Sequence, residues 1–600
     1  MPTLHWIGKD KVINHHRDVP YKVLEHQYGF DAAKGKLSEA GAATGSGNMI
    51  IQGDNLEALK SLLPQYEGKV KCIYIDPPYN TGNEGWVYND NVNDPRIKKW
   101  LGDVVGKEGE DLSRHDKWLC MMYPRLVLLF KLLSKDGVIF MSIGDDENAT
   151  LRLMCDEIFG RRNFLAALIW NSEGNTDNQL EIKINHEYVL VYAQNINNKA
   201  SAIGDVIDPN TREDSNLWKG LADNNINKNN PRNPPVLVTL PAGFPSAEET
   251  LEYAGKKLDE AFFTEATSKR FITEELKRRY SIENLSGLPV KVDDMSVAGH
   301  KLVKDCRIFG GLANHSKLKE FIAGGFKPIK DGDDTIAFYL NKNAAVRYHK
   351  VKATASNILS VLRGFGTTER MKTELKRSAD IRFDYPKPVD LVQYLLSIGA
   401  EDKSSIVLDS FAGSGTTGHA VLNLNAKDGG KRKFILIEMM DYAETMTAQR
   451  LKRVISGYGS EERKASSTGG AFDYYTLGEP LFDAQHNLNE AVGTEKIREY
   501  IWYSETRSTL QATAQEANGN MPGGNNPHAN PYFLGTHEAT AYYFVYEKDD
   551  LTTLDHELLA TLPTKGERTL IYADNCLLPK KFMEQHGIVF KKIPRDITRF

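Results

Sequence analysis

Asp76-Pro77-Pro78-Tyr79 sets a carboxylate, two prolines and an aromatic ring side by side. Each proline fixes φ and removes an N–H donor, so the segment presents carbonyl oxygens unopposed by its own prolines. A planar amino group could give one hydrogen to the Asp76 carboxylate and the other to the Pro77 carbonyl. The Tyr79 ring offers a stacking face to the ring that carries the amine. The exocyclic amine of a nucleobase is a poor nucleophile, because its lone pair is delocalised into the ring. Two such hydrogen bonds draw the nitrogen toward a pyramidal geometry and release the lone pair for attack. A base reaches such a pocket only by leaving the duplex stack. The plain alternative is that Asp-Pro-Pro-Tyr merely ends a strand.

A second set lies far downstream: Val407-Leu408-Asp409-Ser410-Phe411-Ala412-Gly413-Ser414-Gly415-Thr416-Thr417. It reads as a strand, a Gly-rich turn and the start of a helix. Small residues let the backbone approach a ligand closely. Glu438 follows at roughly the ~20-residue spacing at which nucleotide-binding α/β units place an acid on ribose hydroxyls. The loop lacks the Gly-Lys-Ser/Thr of a phosphate-cradling loop, so ATP is not expected. Gly418 stands where a dinucleotide loop has its third glycine. A nicotinamide oxidoreductase therefore fits this loop alone, but it leaves Asp76–Tyr79 without a role. Together the two sets describe a nucleoside-bearing cofactor on one side and a base amine on the other. The economical reading is methyl transfer from S-adenosylmethionine.

Positioning these groups takes a sheet. Val70–Ile75, directly before Asp76, is a continuous apolar run rich in β-branched residues, as in a strand buried on both faces of a parallel sheet. NMIIQ before it reads as a strand and GDNLEALKSLL as a turn and an amphipathic helix. Leu126–Leu133 has helical spacing, with Pro124 in its first turn or kinking it and Gly137 at its C-terminal end. GVIFMSI, HEYVLVYAQN, SIVLDS and KFILIEM are further strands; DDENATLRLMCDEIF, PVDLVQYLLSIG and TTGHAVLNLN are further helices. Alternation of this kind predicts a doubly wound α/β sheet. The expected divisions are an irregular N-terminal arm at 1–47, a catalytic half at 48–200, an inserted region at 201–378, a cofactor half at 379–460 and a small separate α/β domain at 461–600. ADNNINKNNPRNPP and QEANGNMPGGNNPHANP read as loops.

A chain of 600 residues is too long for one compact core. Its 41% hydrophobic and 26% charged residues exclude a largely disordered or collagen-like chain. No stretch approaches the ~20 apolar residues of a membrane span, and the first residues lack the apolar run of a signal peptide. A cytoplasmic protein is expected. The five cysteines lie far apart with no CxxC, so they are read as reduced and structural. The net charge of −5 excludes a uniformly basic nucleic-acid coat, leaving local asymmetry to supply any such surface. Lys317, Lys319, Lys327, Lys330, Lys342, Arg347, Lys350 and Lys352, interleaved with Phe321, Phe326, Phe338, Tyr339 and Tyr348, form either that surface or a solvated face beside a small core. Asp145, Asp146 and Glu147 resemble metal ligands but suit a helix N-terminus, where carboxylates complement the dipole; no metal is assigned. His186 and Tyr188 fit strand packing as well as a pocket wall.

YIDPPYNTGN, the later FxGxG loop, GNMIIQGDNLEALKSL, IFMSIGDDE and HEYVLVYAQN occur in the order found in the β class of amino-methylating DNA methyltransferases. With YYFVYEKDD, LIYADNCLL and FKKIPRDI near the C-terminus, the chain resembles the modification subunit of type III restriction–modification systems over almost its whole length. The resemblance implies a Rossmann-like S-adenosylmethionine-dependent methyltransferase sheet in permuted order, with an inserted target-recognition domain and a small C-terminal α/β domain. It implies that Asp76, Pro77, Pro78 and Tyr79 hold the target base, adenine being favoured by Asp at position 76. It places Ser410, Phe411, Ala412, Gly413, Ser414, Gly415 and Thr416, with Asp76 nearby, around the cofactor. Glu438 would meet ribose hydroxyls, and Asp54 with Asn55 would approach the adenine end, although GDN also suits a helix cap. It further implies double-stranded DNA as substrate, a homodimer, an ATP-dependent restriction subunit as partner and a prokaryotic cytoplasm. A 4-amino cytosine methyltransferase would share every motif. So would an orphan enzyme without a restriction partner; a specificity factor that reads DNA but has lost catalysis is a further rival, and both motifs being intact argues against it.

Overall fold

A computed structural model describes residues 3–597 apart from 34–35, 82–94, 107–112, 173–181, 183, 198–202, 205, 212–220, 283–288, 333, 352–357, 459–465, 484, 486, 511–529, 549, 563–565 and 595–596. Most of the segment QEANGNMPGGNNPHANP lies outside the described residues. The chain divides into two compact units, Met1–Gly204 with Leu359–Phe600, and Asp205–Ile358.

The first unit is built on an eleven-stranded sheet. Numbered in chain order, its strands are β1 (Lys22–Asp31), β2 (Lys36–Leu37), β3 (Met49–Gln52), β4 (Val70–Ile75), β5 (Leu133–Ile143), β6 (Phe164–Asn171), β7 (His186–Ala193), β8 (Val361–Leu362), β9 (Ile406–Asp409), β10 (Lys433–Glu438) and β11 (Ala471–Pro480). They lie in the order β8-β6-β7-β5-β4-β9-β10-β3-β11-β1-β2. The central run β5-β4-β9-β10-β3-β11 is parallel throughout, while β7 and β1 run antiparallel to their neighbours. This is a doubly wound α/β sheet, and β4 and β9, distant in sequence, are adjacent, with Cys72 opposite Val407 and Ile73 opposite Leu408. From β4 the chain proceeds to β5 on one side; from β9 it proceeds to β10 on the other. The strand order therefore reverses between them, and crevices beyond the carboxyl ends of strands at such a reversal are where open α/β sheets bind ligands.

Helices cover both faces: α1 (Asn55–Tyr66), α2 (Arg114–Leu132), α3 (Asp145–Cys155), α4 (Val389–Gly399), α5 (Thr416–Asp428), α6 (Gln449–Ser456) and α7 (Thr494–Thr506). β4 is buried along nearly its whole length, as its unbroken apolar sequence requires. α2 is longer than expected. It starts at Arg114 under a Ser113 cap and carries Pro124 in its interior. Pro124 removes one donor, but the buried side chains of Trp118, Leu119, Met122, Leu126 and Leu129 on either side hold the helix to the sheet. Gly137 does not end this helix; it lies inside β5, where its carbonyl accepts from the Gln194 N–H at 2.9 Å.

Two expectations at the ends of the chain need correction. The N-terminal 47 residues are not an irregular arm: Lys22–Asp31 forms the ten-residue strand β1, paired with β11. Nor is 461–600 wholly separate, because β11 lies within the central sheet. The cause is shared. β1 and β11 satisfy one another's backbone, a long-range pairing that leaves little trace in either sequence. Four further C-terminal strands, Phe533–His537, Thr540–Phe544, Arg568–Ala573 and Ile588–Lys592, do form a sheet with its own core around Tyr543 and Ile571. Arg498 of α7 fastens it by donating to the carbonyls of Pro531 and Phe533, both at 2.7 Å.

The second unit has two four-stranded sheets, a three-stranded sheet and an apolar core that includes Phe244, Ile308, Phe321 and Phe338. The first residues of ADNNINKNNPRNPP are strand rather than loop, within Leu221–Asn225 and Asn227–Lys228. Much of the basic and aromatic pattern is packed or paired. Phe321 and Phe338 are core; Lys317 pairs with Asp331, Arg347 with Asp223 at 2.9 Å, and Lys350 with Asp334 at 2.8 Å. Among the described residues no helix is long and apolar enough to cross a membrane, and all five cysteines are free thiols, four of them buried.

Candidate active site

Asp76 leaves the carboxyl end of β4 and is mostly buried. Its Oδ2 lies 2.9 Å from the Lys387 ammonium, while its Oδ1 is buried without a hydrogen-bond partner. Lys387 is 5% exposed and also lies 3.4 Å from Glu187, which projects from β7. The Tyr79 hydroxyl donates to Glu187 at 2.6 Å, and the Lys387 ammonium sits 4.7 Å from the centre of the Tyr79 ring. Gly144 admits that ring: a Cβ there would stand 3.1 Å from Tyr79 Cδ2. The Pro78 carbonyl accepts from the Trp118 indole N–H at 2.7 Å, which leaves the Pro77 carbonyl as the remaining proline acceptor. Asn80, in the left-handed region at φ 59, donates to the fully buried Glu147, whose carboxylate also meets His115 at 2.7 Å.

Two carboxylates, Asp76 mostly buried and Glu187 partly exposed, therefore face one buried ammonium. Burial pushes the Asp76 carboxyl above its ordinary range; Lys387 opposes that rise and Glu187 reinforces it. Burial works against the charge on Lys387, but Asp76 and Glu187 outweigh it and hold the ammonium above the usual lysine value. The buried Asp76 Oδ1 is then an acceptor with a lone pair and no donor. Such a group costs free energy unless a ligand supplies the hydrogen.

The Gly-rich loop closes the neighbouring strand β9. Asp409 accepts from the Phe411 N–H at 3.0 Å and from the Thr417 hydroxyl, fixing the turn into α5. Burial pushes the Asp409 carboxyl up to about 7, against those two hydrogen bonds. Gly413 and Gly415 take φ of 52 and 82, conformations that penalise side-chain-bearing residues. Gly418 has a packing role: a Cβ there would come within 2.9 Å of Leu451 and 3.0 Å of Leu436. The buried Ser410 hydroxyl has no partner. Beneath the loop, buried Arg450 donates to Ser414 Oγ at 2.7 Å and Thr416 Oγ1 at 2.9 Å.

Glu438 is 2% exposed at the end of β10. Its Oε2 accepts from the Gly413 N–H at 2.8 Å and its Oε1 from the Met440 N–H at 2.9 Å, so it holds the loop. Asp54 is the N-cap of α1, accepting from the Leu56 N–H at 2.8 Å and the Glu57 N–H at 3.2 Å. Asn55 reaches the loop: its Nδ2 donates to the Ser410 carbonyl at 3.2 Å, and its Oδ1 accepts from buried Arg125. Asp145, Asp146 and Glu147 occupy the first turn of α3. His186 and Tyr188 meet one another at 3.1 Å on β7.

The sheet thus brings the two motifs onto adjacent strand ends, and Lys387 joins them. Its ammonium meets Asp76, while its backbone carbonyl accepts from Thr416 Oγ1 at 3.3 Å. Sequence alone did not single out Lys387 or Glu187. The available signals were a lysine set between Pro386 and Pro388, and a charge in an otherwise apolar strand. The chemistry open to this arrangement is the gripping of a planar amine beside a small-residue loop suited to a nucleoside-bearing ligand.

A family described as DNA methylase matches residues 70–449, more than half of the chain. The chain belongs to the DNA methylase family. The matched span of this DNA methylase contains Asp76–Tyr79, Lys387 and the Gly-rich loop. It is similar to the type III restriction-modification enzyme EcoPI Mod subunit of Escherichia phage P1, 34% identical over 412 residues, covering 66% of this chain and 57% of that protein. It is also similar to the StyLTI Mod subunit of Salmonella typhimurium, 32% identical over 405 residues, covering 65% and 52%. The EcoP15I Mod subunit of Escherichia coli is 31% identical over 420 residues, covering 66% and 58%. The chain spans between half and three fifths of the length of these curated relatives.

Proposed function

We propose that this chain is a site-specific DNA methyltransferase acting on the 6-amino group of an adenine flipped out of duplex DNA, as the modification subunit of a type III restriction–modification system. The observation that carries this reading is the buried, unpartnered Asp76 Oδ1 at the point of strand-order reversal, beside the Gly-rich loop. S-adenosylmethionine, when bound, supplies a sulfonium-activated methyl group. The residues present suit it: Ser410 to Thr416 bring backbone and small side chains close, the Ser410 hydroxyl awaits a partner, and Glu438 and Asn55 fix the loop's shape. Glu438, at the end of β10 beside the loop, and the partly exposed carboxylate of Asp54 are the acids proposed for the ribose and adenine ends.

Asp76 Oδ1 and the Pro77 carbonyl accept the two amine hydrogens, and Tyr79 stacks on the extruded base. Asp76 and Lys387 are largely buried, so these few hydrogen bonds act in a dielectric lower than that of water. The inserted region, expected at 201–378 and compact at Asp205–Ile358, is proposed to read the DNA sequence. Its phosphate contacts would make binding strongly salt-dependent. The Mod-subunit relatives support DNA as substrate and a restriction subunit as partner; that the DNA is duplex, that the partner is ATP-dependent, and that the chain forms a homodimer with one copy reading and one methylating, are proposed with them.

The test is incubation of the chain with S-adenosylmethionine and mixed-sequence duplex DNA, followed by mass spectrometry of the nucleosides. N6-methyladenine is expected. N4-methylcytosine would move the target to the other amino base, and no methylated nucleoside would overturn the reading.

A further inference from the structure

We propose that Lys387 is a positioning residue for Asp76: it pins the carboxylate by one oxygen and thereby assigns the other as the acceptor for the target amine. The inference rests on the amine-holding reading of Asp76 and adds a residue that the Asp-Pro-Pro-Tyr motif does not contain.

The two Asp76 oxygens are not equivalent. Oδ2 lies 2.9 Å from the Lys387 ammonium, whereas Oδ1 is buried without a partner. A carboxylate held at one oxygen cannot rotate without breaking that ion pair, so the orientation of Oδ1 is fixed before substrate arrives. The lysine is itself immobilised. Pro386 and Pro388 flank it, and a residue before proline is confined to extended backbone. Its carbonyl is tied to Thr416 Oγ1 at 3.3 Å and its side chain is 5% exposed. Glu187 completes the lock: it lies 3.4 Å from the same ammonium and accepts the Tyr79 hydroxyl at 2.6 Å. One lysine therefore orients the amine acceptor and, through Glu187, the stacking ring.

The charges give this role a signature that packing alone would not. Facing Asp76 are Lys387 from the segment before α4, Glu187 from β7, Tyr79 from its own turn, Tyr74 from β4, and Asp409 from the end of β9. Lys387 is the only cation in this group. Removing it leaves Asp76 and Glu187 facing each other in a buried pocket, which favours proton uptake. A protonated Asp76 is a weaker acceptor for an amine. Loss of Lys387 should therefore move the acid limb of the rate profile to higher pH, and loss of the Glu187 charge should move it to lower pH.

The experiment measures kcat and kcat/KM from pH 5.5 to pH 9.5 for the full chain with duplex DNA and labelled S-adenosylmethionine, alongside Lys387→Met and Glu187→Gln. For Lys387→Met, kcat at neutral pH should fall on the order of 10²-fold. Its acid limb should rise by about one pH unit or more, and its cofactor Kd by calorimetry should stay within about threefold of the parent. A lowered kcat with an unmoved limb would reduce Lys387 to a packing residue, and an unchanged kcat would remove it from the site; either overturns the inference. If Lys387→Met does not fold, Glu187→Gln decides: a limb displaced to lower pH supports the pair, and an undisplaced one refutes it. No label in DNA with the unaltered chain would instead refute methyl transfer itself, and the inference with it.

Discussion

Asp76 and Asp409 end adjacent strands yet face different surroundings. Asp76 has one unpartnered oxygen and a lysine on the other. Asp76→Ala should therefore lower methyl transfer on the order of 10³-fold in a protein that still unfolds cooperatively, with a lower midpoint because the buried Lys387 loses its 2.9 Å partner. Near-normal turnover in a folded variant would count against amine gripping by this carboxylate. Asp409 is instead a structural acid whose carboxyl is pushed up to about 7. Between its unfolded value, near 3.9, and that folded value, the native state binds a proton that the unfolded chain has released. Stability should thus fall as pH rises through this window and level off above it. Asp409→Asn should flatten that slope in urea unfolding at pH 5, 6, 7 and 8; parallel curves for the two proteins would sink the assignment. Asp76, Tyr79 and the Gly-rich loop were legible in sequence because neighbours in the chain act together there. Lys387 and Glu187 were not, because their meaning arises only when β7, β4 and the segment before α4 converge. Asp54 shows the converse: local sequence suits a cap equally well, and a cap is what its carboxylate makes.

The Gly-rich loop and the helix α4 carry the element-scale consequences. The loop depends on Gly413 at φ 52, whose N–H meets Glu438 and whose carbonyl accepts from Thr447 at 2.6 Å. Gly413→Val should abolish measurable cofactor binding by calorimetry, since a β-branched residue is strained there and the loop must shift; retained affinity would contradict a cofactor role for this turn. α4 lies close on the sheet at Gly399, where a Cβ would stand 2.7 Å from both Val138 and Phe140. Gly399→Val should cost about 1–3 kcal/mol by overpacking, read as a lower urea midpoint with the slope unchanged. Buried parallel strands such as β4, β9 and β10 declared themselves by continuous apolar runs. β1 and β11 did not, for KVLEHQYGFD and AFDYYTLGEP mix polar and aromatic residues that make sense only as partners. The full length of α2 is hidden in the sequence because Pro124 looks like a breaker, whereas buried side chains on both sides of it outweigh one missing donor.

At the scale of the molecule the two compact units invite exchange. Replacing 205–358 with the corresponding segment of a relative should change the methylated sequence, read by single-molecule sequencing of modified DNA, while cofactor affinity stays unchanged. An unchanged site would move sequence recognition to the other unit. The interruption of that unit between Gly204 and Leu359 was legible as a break in α/β texture; where its C-terminal part joins the central sheet was not. The adjacency of β4 and β9 has one more consequence, in time rather than in space. A ribosome releases β4 long before β9, and at about 5–20 residues per second the interval is on the order of 20–70 s. Throughout that interval the strand ending in Asp76 has an open edge, able to pair with another nascent chain. Synthesis in the cell should therefore depend on holdase chaperones, and the pocket around Asp76 should mature only after the last parallel strands have emerged.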